Sequence, residues 1–336
     1  MHPRKISFIL FFATLFLIGY LHLSTPLLTV LFSYLLLSIL RFKGKKWVAV
    51  SLFLVVVSVL IYASFLFVRE ALITLPEVAE KSIPAACEFL EKKGVQLPFA
   101  DYEALRPALK EGLKAQVKDL TKFLQLAGNA QALTREFVVF IIGIVIAISI
   151  FLGGKIDLGQ GSYEISDNLY SAISNELALR FIVFYRSFAM VMGAQLLISL
   201  INTIFTTIFV LSVRVPYPYV VIAITFLCGL LPIIGNLISN TIICLVAITR
   251  SPSLAAMALL FLVVLHKFEY FLNSKIIGGR IKNPMWLTLL ALIVGERIMG
   301  IPGMILAPVL LHYLKVEGSQ IAVQLQPPID AERRDR

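Results

Sequence analysis

Charge is what this chain has least of. Only 15% of its 336 residues are Asp, Glu, Lys or Arg, against about a quarter in a soluble domain, which excludes an ordinary water-soluble globule. Cysteine is scarce too. Cys87, Cys228 and Cys244 lie far apart, two of them inside apolar stretches, so neither a disulfide framework nor a thiolate metal site is implied. Of the four histidines, His2 and His22 sit at span ends, His312 near a hairpin end and His266 within an apolar run. None has a second ligand at helical spacing, so no metal is expected. The chain has no GxxxxGK[ST], no HExxH and no GxSxG, so no phosphate loop, zinc protease helix or nucleophile elbow. No cofactor is implied, and an enzyme is not expected. A basic patch interleaved with stacking aromatics is also missing, which argues against a nucleic-acid partner.

Apolar residues are abundant instead. They make up 59% of the chain, with a mean hydropathy of +0.89, and several runs exceed the roughly 18 residues that mark a membrane span. The expected fold is an all-α polytopic membrane protein with about seven or eight membrane elements, its surface solvated by the lipid bilayer. The net charge of +10 does not come from residues 69–136, where ten basic and ten acidic residues cancel. The excess lies in tails and short loops, where Lys and Arg set topology. The opening MHPRK and the apolar run after it imitate a signal peptide, but no small-residue cleavage site follows. It reads as a retained first span.

Residues 1–68 read as three transmembrane helices, over 6–21, 26–40 and 47–68. Residues 69–136 form a polar excursion that Pro76, Pro84, Gly94, Pro98 and Pro107 cut into short pieces. Its best helix starts near Asp101 or Pro107. Leu105, Leu109, Leu113, Val117, Leu120 and Leu124 make an apolar stripe beside a row of Lys110, Lys114, Lys118 and Lys122. This pattern fits a membrane-skimming or regulatory helix, or a small hairpin packing on itself or on a neighbouring subunit. Residues 137–316 form a transmembrane core: a span at 137–152, a turn-rich loop at 153–162, a helix of mixed polarity at 163–185, a span at 188–213 and another at 254–272. Two 33-residue segments, 217–249 and 284–316, are broken internally by glycine and proline. Residues 317–336 read as a polar, disordered tail.

The breaks carry the functional expectation. Backbone groups freed at a break have no water in hydrocarbon and must face protein or a wet cavity, and paired broken segments point to a transport site. If each segment were one kinked span, Lys275, Arg280 and Lys282 would fall outside, against the positive-inside bias. If each doubles back, Arg214 and Arg250 lie outside, while Lys275, Arg280, Lys282 and Lys315 lie inside. The hairpin arrangement fits better and makes the two hairpins enter from opposite faces, with both chain termini in the cytoplasm and the protein in the cell (inner) membrane. The candidate path residues are Gly295, Glu296, Arg297, Gly300, Pro302 and Gly303 at the second break, and Pro232, Gly235, Asn236 and Asn240 at the first. Gln195 and Asn202 lie inside the neighbouring span. Intramembrane charge is costly, so Glu296 and Arg297 read either as a coupling carboxylate with its partner or as caps in interfacial water. Gln195 and Asn202 are more often helix–helix glue than ligands. His266, Lys267 and Glu269, late in their span, read as interfacial.

The stretches YRSFAMVMGAQLLISLINTIF (185–205), LLPIIGNLISNTIICLVAI (230–248) and FLNSKIIGGRIKNPMWLTLLALIVGERIMGIPGMILAP (271–308) resemble the autoinducer-2 exporter family of bacterial membrane permeases. The family's glycine-rich ending is matched by Gly295, Gly300, Gly303, Ala307 and Pro308, with one extra residue between the first two glycines. Asn236 stands where members often carry a second proline. The resemblance implies an exporter of a small molecule, such as an autoinducer-2-like signal or related metabolite, working by alternating access as a homo-oligomer, with or without ion coupling. Some members are Na+(Li+)/H+ antiporters, which keeps an ion substrate open. A non-transporting scaffold or regulator is the reading from another class. If Glu296 couples an ion, Glu296→Gln weakens ion-driven transport at unchanged expression; unchanged transport removes it from the mechanism.

Overall fold

In lipid a backbone amide or carbonyl must bond within its own segment, and only helices and closed barrels allow that. The computed structural model describes residues 3–41, 45–92, 130–153, 168–232, 234–276 and 284–320, and every regular element among them is a helix. In chain order these are α1 (Pro3–Tyr20), α2 (Ser24–Ile39), α3 (Lys46–Lys92), α4 (Ala130–Gly153) and α5 (Leu169–Ser212). They continue with α6 (Pro218–Gly229), α7 (Ile234–Ile248), α8 (Pro252–Ile276), α9 (Met285–Met299) and α10 (Ile301–Ser319). Four stretches are long and apolar enough to cross a membrane: Pro3–Tyr20, Lys46–Ala71, Leu169–Ser212 and Pro252–Glu269. Large side chains such as Phe16, Leu260 and Ile293 point outward at 68%, 67% and 67% exposure. A water-facing surface would not tolerate that apolar load; a lipid-facing one requires it. The chain is a multi-pass membrane protein.

Three helix boundaries differ from the sequence expectation. α3 runs unbroken from the third span through Pro76 and Pro84 to Lys92, so those prolines do not divide the start of the excursion. The Lys-rich helix near Asp101 or Pro107 lies outside the described residues. The mixed-polarity helix and the following span are one 44-residue helix, α5. Asn168 caps it, its side chain accepting from the Ser171 amide at 2.8 Å. At the other end of the chain, α10 continues to Ser319 with Glu317 buried, so the first residues assigned to a disordered tail are helix.

α5 is the axis on which the bundle is assembled. Its first half packs with α1, α2 and α10 through Phe11, Leu15, Leu31, Phe184, Phe188, Met192, Leu306 and Tyr313. Its last turns join α3, α6, α7 and α8 through Val210, Val215, Val221, Ile243, Val246, Ala258, Leu262 and Val78. α3 reaches both regions. Ala49, Val50 and Phe53 near its start pack with α2 and α4, while Ala71 packs with Val220 and Ile224 of α6.

One buried charge ties the ends of the chain together. Arg180 of α5 is 3% exposed. Its Nη1 donates to Glu317 of α10 at 3.2 Å and its Nε to the Ser7 hydroxyl of α1 at 2.8 Å. Its Nη2 reaches the Arg4 carbonyl and Glu176, both at 3.3 Å, and the guanidinium lies 3.4 Å over the Phe8 ring. The planar fork suits this many partners at once. The start of α1 and the end of α10 therefore lie at the same end of the bundle.

Both broken segments are helical hairpins. In the second, α9 and α10 turn at Gly300, whose φ of +62° is a conformation glycine adopts without a Cβ clash. Their backbones touch where Gly295 faces Gly303. A Cβ on Gly303 would overlap the Gly295 carbonyl, and one on Gly295 would meet the Gly303 carbonyl. Small residues allow such close approach in membranes. Gly303→Ala should therefore force α9 and α10 apart and cost roughly 1–3 kcal/mol, read as a lower melting temperature in detergent by size-exclusion after heating. Gly193→Ala, with nothing nearby to meet, is the control and should melt as the parent does.

Candidate functional site

The first hairpin builds the site. Tyr217, left-handed at φ +52°, turns the chain and Pro218 opens α6. α6 has 12 residues and α7 has 15. At 1.5 Å per residue these are about 18 and 22 Å long, each shorter than a hydrocarbon core of about 30 Å. The pair doubles back at Leu230–Pro232, and its tip is held from the side by α5. Gln195 Nε2 donates to the Gly229 carbonyl at 2.6 Å, and Ser199 Oγ donates to the Phe226 carbonyl at 2.8 Å. Gly235 abuts the Cys228 carbonyl so closely that a Cβ would overlap it. At the open end, Arg250 Nη1 donates to the Val213 carbonyl at 3.1 Å and also to the Arg214 carbonyl, closing the last turn of α5.

α7 then runs antiparallel to α8, and this brings Asn236 to Glu269. The Asn236 amide nitrogen donates to both carboxylate oxygens of Glu269, at 2.6 Å each. Glu269 is only 13% exposed, and His266 Nδ1 stands 3.8 Å from its Oε2. Behind this pair lies a small cavity of about 10 Å³. Polar side chains line it from four helices: Asn202 and Thr206 of α5, Thr225 of α6, Asn236, Ser239 and Asn240 of α7, and His266 and Glu269 of α8. Asn202 is 5% exposed and Thr206 fully buried, yet Asn202 Oδ1 and Thr206 Oγ1 have no hydrogen-bond partner among the described residues. Outward from Asn236, Asn240 and His266 opens a much larger groove between α7 and α8. It measures about 860 Å³ and is lined mainly by Leu, Ile, Val and Ala side chains, with Lys267 at its edge.

The expected path residues divide into two groups. Gln195, Asn202, Pro232, Gly235, Asn236 and Asn240 come together here, Gln195 as the glue its position implied and Asn202 facing the cavity. Gly295, Glu296, Arg297, Gly300, Pro302 and Gly303 lie on the other hairpin, which packs on α1 and α5; Gly19 of α1 meets Met299 at its tip. Glu296 and Arg297 are exposed there, away from the cavity. The two hairpins engage opposite ends of α5 and do not line a common cavity among the described residues. Glu269, read as interfacial, is the carboxylate inside. No pattern near it in sequence distinguishes an interfacial from an internal glutamate; the partner that draws it inward, Asn236, is 33 residues away.

An all-helical, lipid-faced bundle with a broken hairpin, a polar cavity and a groove beside it defines a helical membrane transporter rather than an enzyme. The profile of the AI-2E family transporters matches residues 6–317, and the chain belongs to that family. It is also similar to the "Putative transport protein YdbI" of Bacillus subtilis (strain 168), with 29% identity over 136 residues. That match covers 40% of this chain and 39% of YdbI, well under two thirds of the relative's length.

The Asn236–Glu269 contact is the one polar bridge described between the hairpin tip and α8. Asn236→Leu removes the donors to a largely buried carboxylate and should lower stability by about 1.5–3 kcal/mol. Glu269→Gln keeps a neutral acceptor for the amide and should lower it less. Thermal melts of the two purified variants check the order; equal melting would mean that the contact carries no load.

Proposed function

We propose that the protein is a small-molecule permease in which the α6–α7 hairpin moves against α5 and α8. The observation that carries this reading is the joining of a polar cavity to an 860 Å³ apolar groove at Asn236, Asn240 and His266. Small-molecule sites have this form, mostly apolar walls with a few placed polar groups. The hairpin is suited to move. Its tip is fastened to the bundle by a few hydrogen bonds from Gln195, Ser199 and Glu269, each exchangeable with water. The second hairpin has the opposite character, with backbone contact at Gly295 and Gly303 and the Arg180–Glu317 ion pair at its far end. It is the fixed wall, not a second moving gate.

In this reading the protein sits in the cytoplasmic membrane with both termini inside. The Arg180 cluster supports a common side for the two ends, and the placement of Lys and Arg supports the cytoplasmic one. The solute moved is a small, uncharged or weakly polar metabolite, of which an autoinducer-2-like signal is the instance that the family suggests, and the direction is outward. The lipid-facing apolar surface of α7 and α8 leaves room for assembly as a homo-oligomer.

Single cysteines at Asn240 and at Met299, in a cysteine-free background, test the assignment of mobile and fixed hairpins. Labelling by a membrane-impermeant thiol reagent at 240 should change in side or rate when a sodium or proton gradient is imposed, while labelling at 299 stays constant. Protection of 240 under every condition would make the hairpin a packed element and the protein a scaffold. Variation at 299 alone would return the path, and Glu296, to the other hairpin.

A further inference from the structure

The small cavity behind Asn236 and Glu269 has a composition that the movement of an uncharged solute does not need. A path for such a solute calls for exchangeable hydrogen bonds, not for a carboxylate drawn into the protein. Glu269 is nevertheless inside, 13% exposed, and a buried carboxylate is stable only when its charge is balanced. Asn236 supplies dipoles but no charge. The nearest cationic candidate, His266, is 48% exposed and stands 3.8 Å away, beyond direct hydrogen-bond reach. Lys267 lines the outer groove and not the small cavity.

The unpartnered atoms point the same way. Asn202 Oδ1 and Thr206 Oγ1 are an amide oxygen and a hydroxyl oxygen, each buried and each without a partner among the described residues, on helix faces that line this cavity. A polar atom left so in a protein interior marks an unmodelled water or ion. With Glu269 they make an all-oxygen donor set, and such sets suit hard cations. The volume of about 10 Å³ admits one water-sized species and no more. One carboxylate balances one positive charge. A divalent ion would leave a net charge buried in a low-dielectric site, at a penalty that a single carboxylate does not offset.

We infer that Glu269, Asn202 and Thr206 form a binding site for one small monovalent cation of sodium or lithium size, held between α5 and α8 and closed by Asn236 at the hairpin tip. This rests on the permease reading and deepens it. A cation entering the cavity competes with the Asn236 amide for the Glu269 oxygens and so weakens the contact that holds the hairpin tip to α8. Cation occupancy and hairpin position are then two views of one equilibrium.

The test is equilibrium binding of radioactive sodium to the purified full-length protein in lipid nanodiscs, by scintillation proximity. The wild type should bind sodium saturably at about one ion per chain, with lithium displacing it and rubidium, too large for the cavity, failing to do so. Glu269→Gln should abolish binding. Asn202→Leu and Thr206→Val keep size and remove one oxygen donor each, and each should weaken binding about tenfold or more; they hold the test open if the glutamate variant does not fold. Glu296→Gln should bind as the wild type does. Absence of saturable sodium binding by the wild type, or wild-type affinity in both Glu269→Gln and Asn202→Leu, overturns the site. If sodium fails to bind while cysteine 240 still changes accessibility under a proton gradient, the cation site falls and the permease stands. If sodium binds and cysteine 240 stays protected throughout, the permease falls and the site remains as a static one.

Discussion

Two side-chain hydrogen bonds hold the architecture together at its weakest point. A helix that stops inside a membrane leaves carbonyls with nothing to accept, and each costs several kcal/mol in hydrocarbon. Here the end of α6 gives two of these carbonyls, at Phe226 and Gly229, to Ser199 and Gln195 of α5. That exchange lets α6 and α7 be short, which puts the tip at membrane depth and brings Asn236 against Glu269. The donors lie one turn apart on α5, the spacing that places two side chains on one face. The polar cavity, the groove and the carboxylate inside are consequences of ending a helix there and satisfying it from the side.

The same constraint accounts for what could be read from the residues and what could not. Helical class, membrane residence and both hairpins follow from apolar runs and from the glycines and proline that interrupt them, all local signals. The partition of the breaks does not. Gly295 and Gly303 are eight positions apart and touch across a turn, which is still nearly local. Glu269 and Asn236 are not, and nothing beside Glu269 states which way it faces. Arg180 shows the limit most clearly. Its partners, Ser7 and Glu317, lie at opposite ends of the chain, and Glu317 stands among polar residues that read as a tail. A buried ion pair assembled from distant segments leaves no periodicity to detect. The prolines of α3 failed for another reason: proline lowers helix propensity without forbidding a helix, and tertiary packing can override it.

The two hairpins look equivalent in sequence and are physically different objects. One closes through backbone contact and is anchored by a guanidinium with four partners. The other closes through side chains that can exchange partners without exposing apolar area. Motion in a packed bundle goes to the element with the fewest fixed contacts, so the asymmetry between carbon packing and hydrogen bonding also divides the labour.

α3 adds a mechanical dimension. Its 47 residues make a rod of about 70 Å, more than twice the thickness of the hydrocarbon core. Its start is clamped by α2 and α4, and Ala71 and Val78 further along rest on α6 and α7. A rod clamped near one end and touching a lightly held hairpin partway along is a lever. A load applied to its far end, outside the bilayer, reaches the hairpin as torque through stiff backbone, with no message relayed through lipid.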